Sequence, residues 1–241
     1  MSRGFRYTLI AVVAGVVLFV GGPWVYINFV REDAPESFVD QATATTVSTG
    51  DTAAPTTVAA SDTTESSVLS DPSGVWQVSA DSQVGYRVDE VLFGQNITAV
   101  GRTSAVVGSI EISGSEVIAA KFEVDMTTVT SDEPKRDAQF VSRIMDTLNY
   151  PTSSFVLDSP IALPADATST SVSHTARGTL TLRGATKTVE LTVVSSVQDG
   201  RIVVVGEIPI VFSEWGIPNP SIPGITTEDS GVLEFNLVLE R

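Results

Sequence analysis

Gly178-Thr179-Leu180-Thr181-Leu182-Arg183-Gly184-Ala185-Thr186-Lys187-Thr188-Val189-Glu190-Leu191-Thr192-Val193 reads as two strands about a turn. Leu180 and Leu182 alternate with Thr179, Thr181 and Arg183, and Val189, Leu191 and Val193 resume the alternation beyond residues 183–186. A period of two places every second side chain on one face, so each strand has a buried side and a wet side.

The same period recurs on both sides of this hairpin. Residues 82–88 (SQVGYRV) alternate, as do residues 121–126 (KFEVDM), and Leu233, Phe235, Leu237 and Leu239 end the chain in one phase. Residues 202–205 form a continuous apolar run suited to a central strand. Gly101, Gly108, Gly114, Gly178, Gly200 and Gly206 are expected at turns or strand bends. One segment breaks the pattern. In residues 133–149 (EPKRDAQFVSRIMDTLN), Phe140, Ile144, Met145 and Leu148 fall at helical spacing, Pro134 suits a first turn, and Tyr150-Pro151 ends the helix. Many short strands with one helical insertion predict an all-β antiparallel barrel or sandwich over residues 72–241. The barrel is preferred, because closure removes exposed edges and eight strands leave room inside for a small ligand.

The N-terminal third differs in character. Residues 1–7 are short and carry Arg3 and Arg6; residues 8–30 (TLIAVVAGVVLFVGGPWVYINFV) carry no charge. A run of ~20 apolar residues spans the ~30 Å hydrocarbon core, and Trp24 and Tyr26 suit its far interface. Bulky residues follow the run where a signal-peptidase site would need small ones, which favours an uncleaved anchor over a secretion signal. The arginines before the span place the N-terminus in the cytoplasm by the positive-inside rule. The rest of the chain then lies outside, on a single-pass protein of the cell membrane. Residues 31–71 read as a disordered acidic linker. From residue 34 on they are rich in Thr, Ser and Ala, with too little apolar surface to offset chain entropy. The expected role is a long tether.

Composition removes several functions. The chain has no cysteine, one histidine and a net charge of −15. Disulfides and thiolate metal sites are excluded, no metal site is expected, and nucleic acid would be repelled. No nucleophile elbow, Walker loop or dinucleotide glycine loop occurs. His174 in a serine-rich stretch and the acid pairs Asp132-Glu133 and Glu228-Asp229 are the material for a hydrolase. Each reads more simply as solvated loop chemistry, so no catalytic residue is expected.

The order of several motifs carries a resemblance. Trp76-Gln77-Val78 is followed by Ser82-x-Val84-x-Tyr86-x-Val88, Val100-Gly101-Arg102, Phe122-Glu123-Val124-Asp125 and Lys135-Arg136-Asp137-Ala138-Gln139-Phe140. Asn149-Tyr150-Pro151, Ser154-Phe155, the 178–187 hairpin, Trp215-Gly216-Ile217 and Gly231-Val232-Leu233-Glu234 complete the series. In this order they resemble the YceI-like family of bacterial periplasmic or secreted proteins. The resemblance implies a lipocalin-like barrel whose apolar tunnel holds a polyisoprenoid chain, such as a polyprenyl lipid or the tail of an isoprenoid quinone. Family members often carry a His after the first strand, where Asp89 and Glu90 stand here, and an Arg before the aromatic-Gly-Ile element, where Phe212-Ser213-Glu214 stand. Both departures concern a ligand headgroup rather than its tail.

The candidate ligand-binding residues are Tyr86, Val88, Phe122, Val124, Met126, Phe140, Met145, Phe155, Leu180, Leu182 and Trp215. Each serves equally as plain core. A long isoprenoid that buries several hundred Å² gains on the order of 10 kcal/mol before ordering costs, at ~25 cal/mol per Å². The expected function is a membrane-tethered binding module for an apolar lipid, in storage or transport, with no resident cofactor. A filled barrel acting as an interaction module is the alternative, and a hydrolase the third reading.

Overall fold

A computed structural model describes residues 34–47 and 71–241. Thirteen strands are found among them. β1 (Gly74–Val78), β2 (Gln83–Leu92), β3 (Gln95–Thr103), β4 (Val106–Ser113) and β5 (Glu116–Asp125) follow in quick succession. Then come β6 (Thr130–Ser131), β7 (Thr152–Leu157), β8 (Ile161–Ala162), β9 (Val172–Leu182) and β10 (Ala185–Gln198). β11 (Arg201–Val211), β12 (Ile225–Thr227) and β13 (Ser230–Glu240) complete the sheet, and every pairing is antiparallel.

The strands form a closed barrel. Hydrogen bonds run β1-β4-β5-β7-β9-β10-β11-β13, and β13 returns to β1 at Val78↔Leu239 and Gln77↔Glu240. β2 continues β1 past a break, so β13 pairs with β1 through its last residues and with β2 through Val232 to Asn236. β3 extends β4 in the same way, and β6 extends β5 beside β3. The barrel is therefore a simple meander of eight ring positions, and the edges that would invite aggregation are consumed by closure.

The hairpin over residues 178–193 is β9–β10, with Leu182 opposite Ala185. Arg183 and Gly184 both take positive φ (48° and 75°), the twist a two-residue turn needs between right-twisting strands. Trp76, Ile110, Ile112, Ile202 and Leu239 pack into a core cluster at one end of the barrel, and a larger cluster around Leu180, Leu191, Ile208 and Phe212 fills the wall toward the other.

The helical insertion is shorter than its spacing predicts. Among the described residues α1 is Phe38–Val47 and α2 is Pro134–Gln139. Glu133 caps α2, its side chain accepting from the Lys135 N–H, with Pro134 in the first turn. The chain then widens into one π turn (Phe140–Ile144), closed by the Met145 N–H on the Phe140 carbonyl at 2.8 Å. Asp146 follows at φ 51°, which no right-handed helix continues. Leu148, counted in the helical stripe, is consequently 91% exposed.

α1 corrects the expectation of a wholly disordered linker. Ser37 caps it, its hydroxyl accepting from the Asp40 N–H at 3.1 Å. Ser37 and Phe38 are buried against the outside of the barrel. The remaining linker and the apolar run at residues 8–30 lie outside the described residues. Among those described, no helix is long and apolar enough to cross a membrane.

Candidate functional site: an apolar tunnel and its polar exterior clasp

Inward side chains of the ring enclose a cavity of about 1050 Å³. Its lining runs from Phe93, Pro220 and Ile222 at one end to Ser115, Pro164 and Ala167 at the other, so it extends along the barrel as a tunnel. The barrel is hollow, which separates it from the filled alternative. Volumes of ~300–1,000 Å³ are usual for pockets that take small molecules.

Ten of the eleven candidate residues line this cavity: Tyr86, Val88, Phe122, Val124, Met126, Phe140, Met145, Phe155, Leu180 and Leu182. Trp215 does not. It is buried in the short turn Phe212–Trp215, against the core, with Lys187 Nζ 5.5 Å from its ring centre. Sequence reasoning passed over Ile97, Ala99, Ala176, Leu191, Leu233 and Phe235, which share the wall. The signal was there, since each stands in the inward phase of its strand.

Four aromatic rings of the wall lie on glycines of a neighbouring strand. A Cβ added at Gly101 would collide with the Tyr86 ring, and one at Gly178 with Phe155. At Gly206 it would come within 2.5 Å of Phe235, and at Gly108, where φ is +149°, it would meet the Lys121 carbonyl before reaching the Phe122 ring at 2.9 Å. These glycines lie mid-strand in the inward phase, while Gly114 and Gly200 sit between strands. Each missing side chain makes a recess that accepts a ring flat against the wall, and the lumen stays open. Gly178→Ala is therefore expected to push Phe155 into the lumen. Apolar-ligand affinity should drop roughly tenfold and stability by about 1–2 kcal/mol, readable by ligand titration and urea unfolding.

Polar groups are few and placed at the ends. Near α2, Arg136 pairs with Asp132 at 2.5 Å and Glu90 at 3.5 Å. Desolvation there works against its charge, but the two carboxylates outweigh it and its pKa is raised. Tyr86 stacks on Phe140 with ring centres 5.2 Å apart, and burial raises its hydroxyl pKa far above the ordinary value. It stays a neutral donor. Toward the other end His174 Nε2 lies 3.2 Å from Ser195 Oγ, and burial lowers the histidine pKa. Among the described residues Ser195 is the side-chain hydrogen-bond partner of His174, with no carboxylate to complete a triad. Of the acid pairs, Asp132-Glu133 serves the Arg136 bridge and the α2 cap, while Asp229 accepts from Asn219 Nδ2 at 2.8 Å. No cluster of metal-ligating side chains occurs among the described residues.

The outer wall carries one feature absent from the sequence reading. Glu234 points outward from β13, yet its side chain has no exposed surface. Arg102 Nε meets its Oε1 at 2.8 Å, and Arg87 approaches its Oε2 at 3.7 Å. Both arginines also hold the strap at residues 35–38. Arg87 donates to the Pro35 carbonyl at 2.6 Å, Arg102 donates to the Glu36 carbonyl at 2.8 Å, and the Arg102 guanidinium lies 3.9 Å from the Phe38 ring centre. A carboxylate, two cations and an aromatic lid form one clasp on the barrel's outer face.

Comparison with known proteins places the geometry. A family model described as the YceI-like domain matches residues 76–239. The barrel is similar to BcnA of Burkholderia cenocepacia at 18% identity and a TM-score of 0.53, over 67% of this chain and 98% of that one. It is equally similar, at 14% identity and a TM-score of 0.53, to a polyisoprenoid-binding domain of Saccharophagus degradans, over 69% of this chain and 97% of that one. At such identities the likeness is one of fold. No curated protein matches the sequence.

Proposed function

We propose, from the premise that this chain belongs to the YceI-like family, that its tunnel binds one apolar isoprenoid-type lipid, a polyprenyl chain or a quinone tail, and performs no chemistry on it. The tunnel itself carries the reading: an open, apolar passage of about 1050 Å³ along a closed sheet. Ligand affinity then comes from burial of hydrocarbon at ~25 cal/mol per Å², and the contacts are the ten candidate wall residues. We further propose that residues 8–30 anchor the chain in the membrane with the barrel outside, so that cargo is stored or handed over beside the bilayer. Support for the anchor is the uncharged length of that run.

Organic extraction of the purified full chain, followed by mass spectrometry, tests the cargo. An isoprenoid near one equivalent is expected. Ala176→Trp supplies the control, because Ala176 is buried in the tunnel wall and an indole there blocks the lumen. The variant should fold and come out empty. Wild-type protein free of lipid, or a blocked variant that still carries it, defeats the reading.

A further inference from the structure

The two ends of the tunnel differ in kind. At the α2 end the connections carry Phe93 (52% exposed), Ile222 (40%) and Leu148 (91%), and Phe93 and Ile222 also line the tunnel. Phe93 forms the tip of the β2–β3 hairpin, its N–H on the Gly224 carbonyl at 2.9 Å. The connections at the opposite end, residues 114–115, 158–160, 163–171 and 199–200, are built of Gly, Ser, Thr, Asp, Ala and Pro with one leucine. Those described connections hold no exposed large hydrophobic residue. The mouth at the α2 end thus carries large exposed apolar side chains beside the Arg136–Asp132–Glu90 ion pairs, while the connections at the other end carry none.

The strap crosses the outer wall partway down the barrel from the mouth at the α2 end. Pro35 is held at Arg87, five positions from Leu92 at the end of β2, or roughly 17 Å along a strand. Five positions also separate Val30, the last residue of the apolar run, from Pro35, a reach of at most about 17 Å. The two lengths match. With the clasp closed, the barrel cannot use the forty-residue slack that a free linker would give it.

We propose that the α2 end of the barrel rests on the outer surface of the bilayer. Phe93, Ile222 and Leu148 enter the interfacial layer, and the strap at residues 35–38 holds them there, so the tunnel opens directly onto lipid. The occupant of this lip is a lipid surface rather than a protein, because the lip is continuous with a lipid-sized apolar passage and lies within reach of the apolar run. Apolar insertion and not charge must drive the contact, since a chain of net charge −15 is repelled by anionic headgroups. The inference rests on the membrane-anchor reading of residues 8–30.

The full chain lacks cysteine, so single reporters are easily placed. Asn96→Cys beside the lip and Ala165→Cys at the opposite end, each labelled with an environment-sensitive fluorophore, are reconstituted into phosphatidylcholine vesicles containing a nitroxide-labelled lipid. Flotation of the vesicles reads the anchor independently; protein left at the bottom of the gradient defeats the anchor reading and this inference with it. In floated protein the label at 96 should be quenched at least threefold more than the label at 165. Phe38→Ala, which opens the clasp without touching the barrel, should remove most of that difference, and Phe93→Asp with Ile222→Asp should do the same. Equal quenching at the two ends overturns the proposal while leaving the anchor intact. So does a blue-shifted but unquenched label at 96, which would mean that a protein or a second copy covers the lip.

Discussion

Arg102→Ala should lower the unfolding free energy by about 3 kcal/mol, the low end of what breaking a buried ion pair costs. The substitution strands Glu234, whose side chain has no exposed surface, with Arg87 as a distant second cation at 3.7 Å. It also removes the donor to the Glu36 carbonyl and the cation over Phe38. Urea unfolding measures the loss as a shift in midpoint at unchanged slope. The diagnostic variant is the double one. Removing Glu234 as well (R102A/E234A) deletes the stranded charge, so it should be more stable than Arg102→Ala alone, a non-additivity expected of touching groups. Hydrogen exchange at residues 38–41 should accelerate in both. A double variant no better than the single would show that the carboxylate is not what makes Arg102 necessary.

Leu191→Asp should cost at least about 4 kcal/mol or prevent folding. Leu191 is buried in the tunnel wall, opposite Ala176 on β9. Deleting a buried leucine alone costs ~2–5 kcal/mol, and a carboxylate facing hydrocarbon with no cation across the strand adds a desolvation penalty. Thr192→Asp, one residue on, is the phase control. Thr192 is exposed on the outer face, and its substitution should change stability by less than about 0.5 kcal/mol. If fold survives in Leu191→Asp, lipid content should not. Equal effects at 191 and 192 would put the inward phase of β10 in error.

What the sequence made legible follows from which interactions are periodic. Leu180, Leu182, Leu191 and Val193 announce their face by alternation, and alternation survives translation into a closed sheet. The tunnel wall was readable for that reason, including residues such as Leu233 and Phe235 whose phase was seen before their role was. Trp215 was misplaced because it stands in a short irregular turn, where no period tells inside from outside. Leu148 failed differently: a single left-handed residue, Asp146, ended the helix that its spacing assumed. The clasp was illegible, because it joins residues 35–38 to positions 87, 102 and 234 with no pattern linking them. Its one local trace is Ser37-x-x-Asp40 ahead of α1, a capping signal inside an otherwise unstructured composition.

Gly101, Gly178 and Gly206 turn the bore of this protein into an adjustable quantity. A ring seated in its recess takes up wall thickness instead of clearance, and one methyl group added beneath it acts as a shim that tips the ring inward. Calibre is thus set strand by strand, by residues that never touch cargo. Glycine gives the widest bore, so changing these shims can only select slimmer chains. Gly101 and Gly206, where a ring is the first thing a new Cβ meets, are the places where the hydrogen-bonded frame is least disturbed.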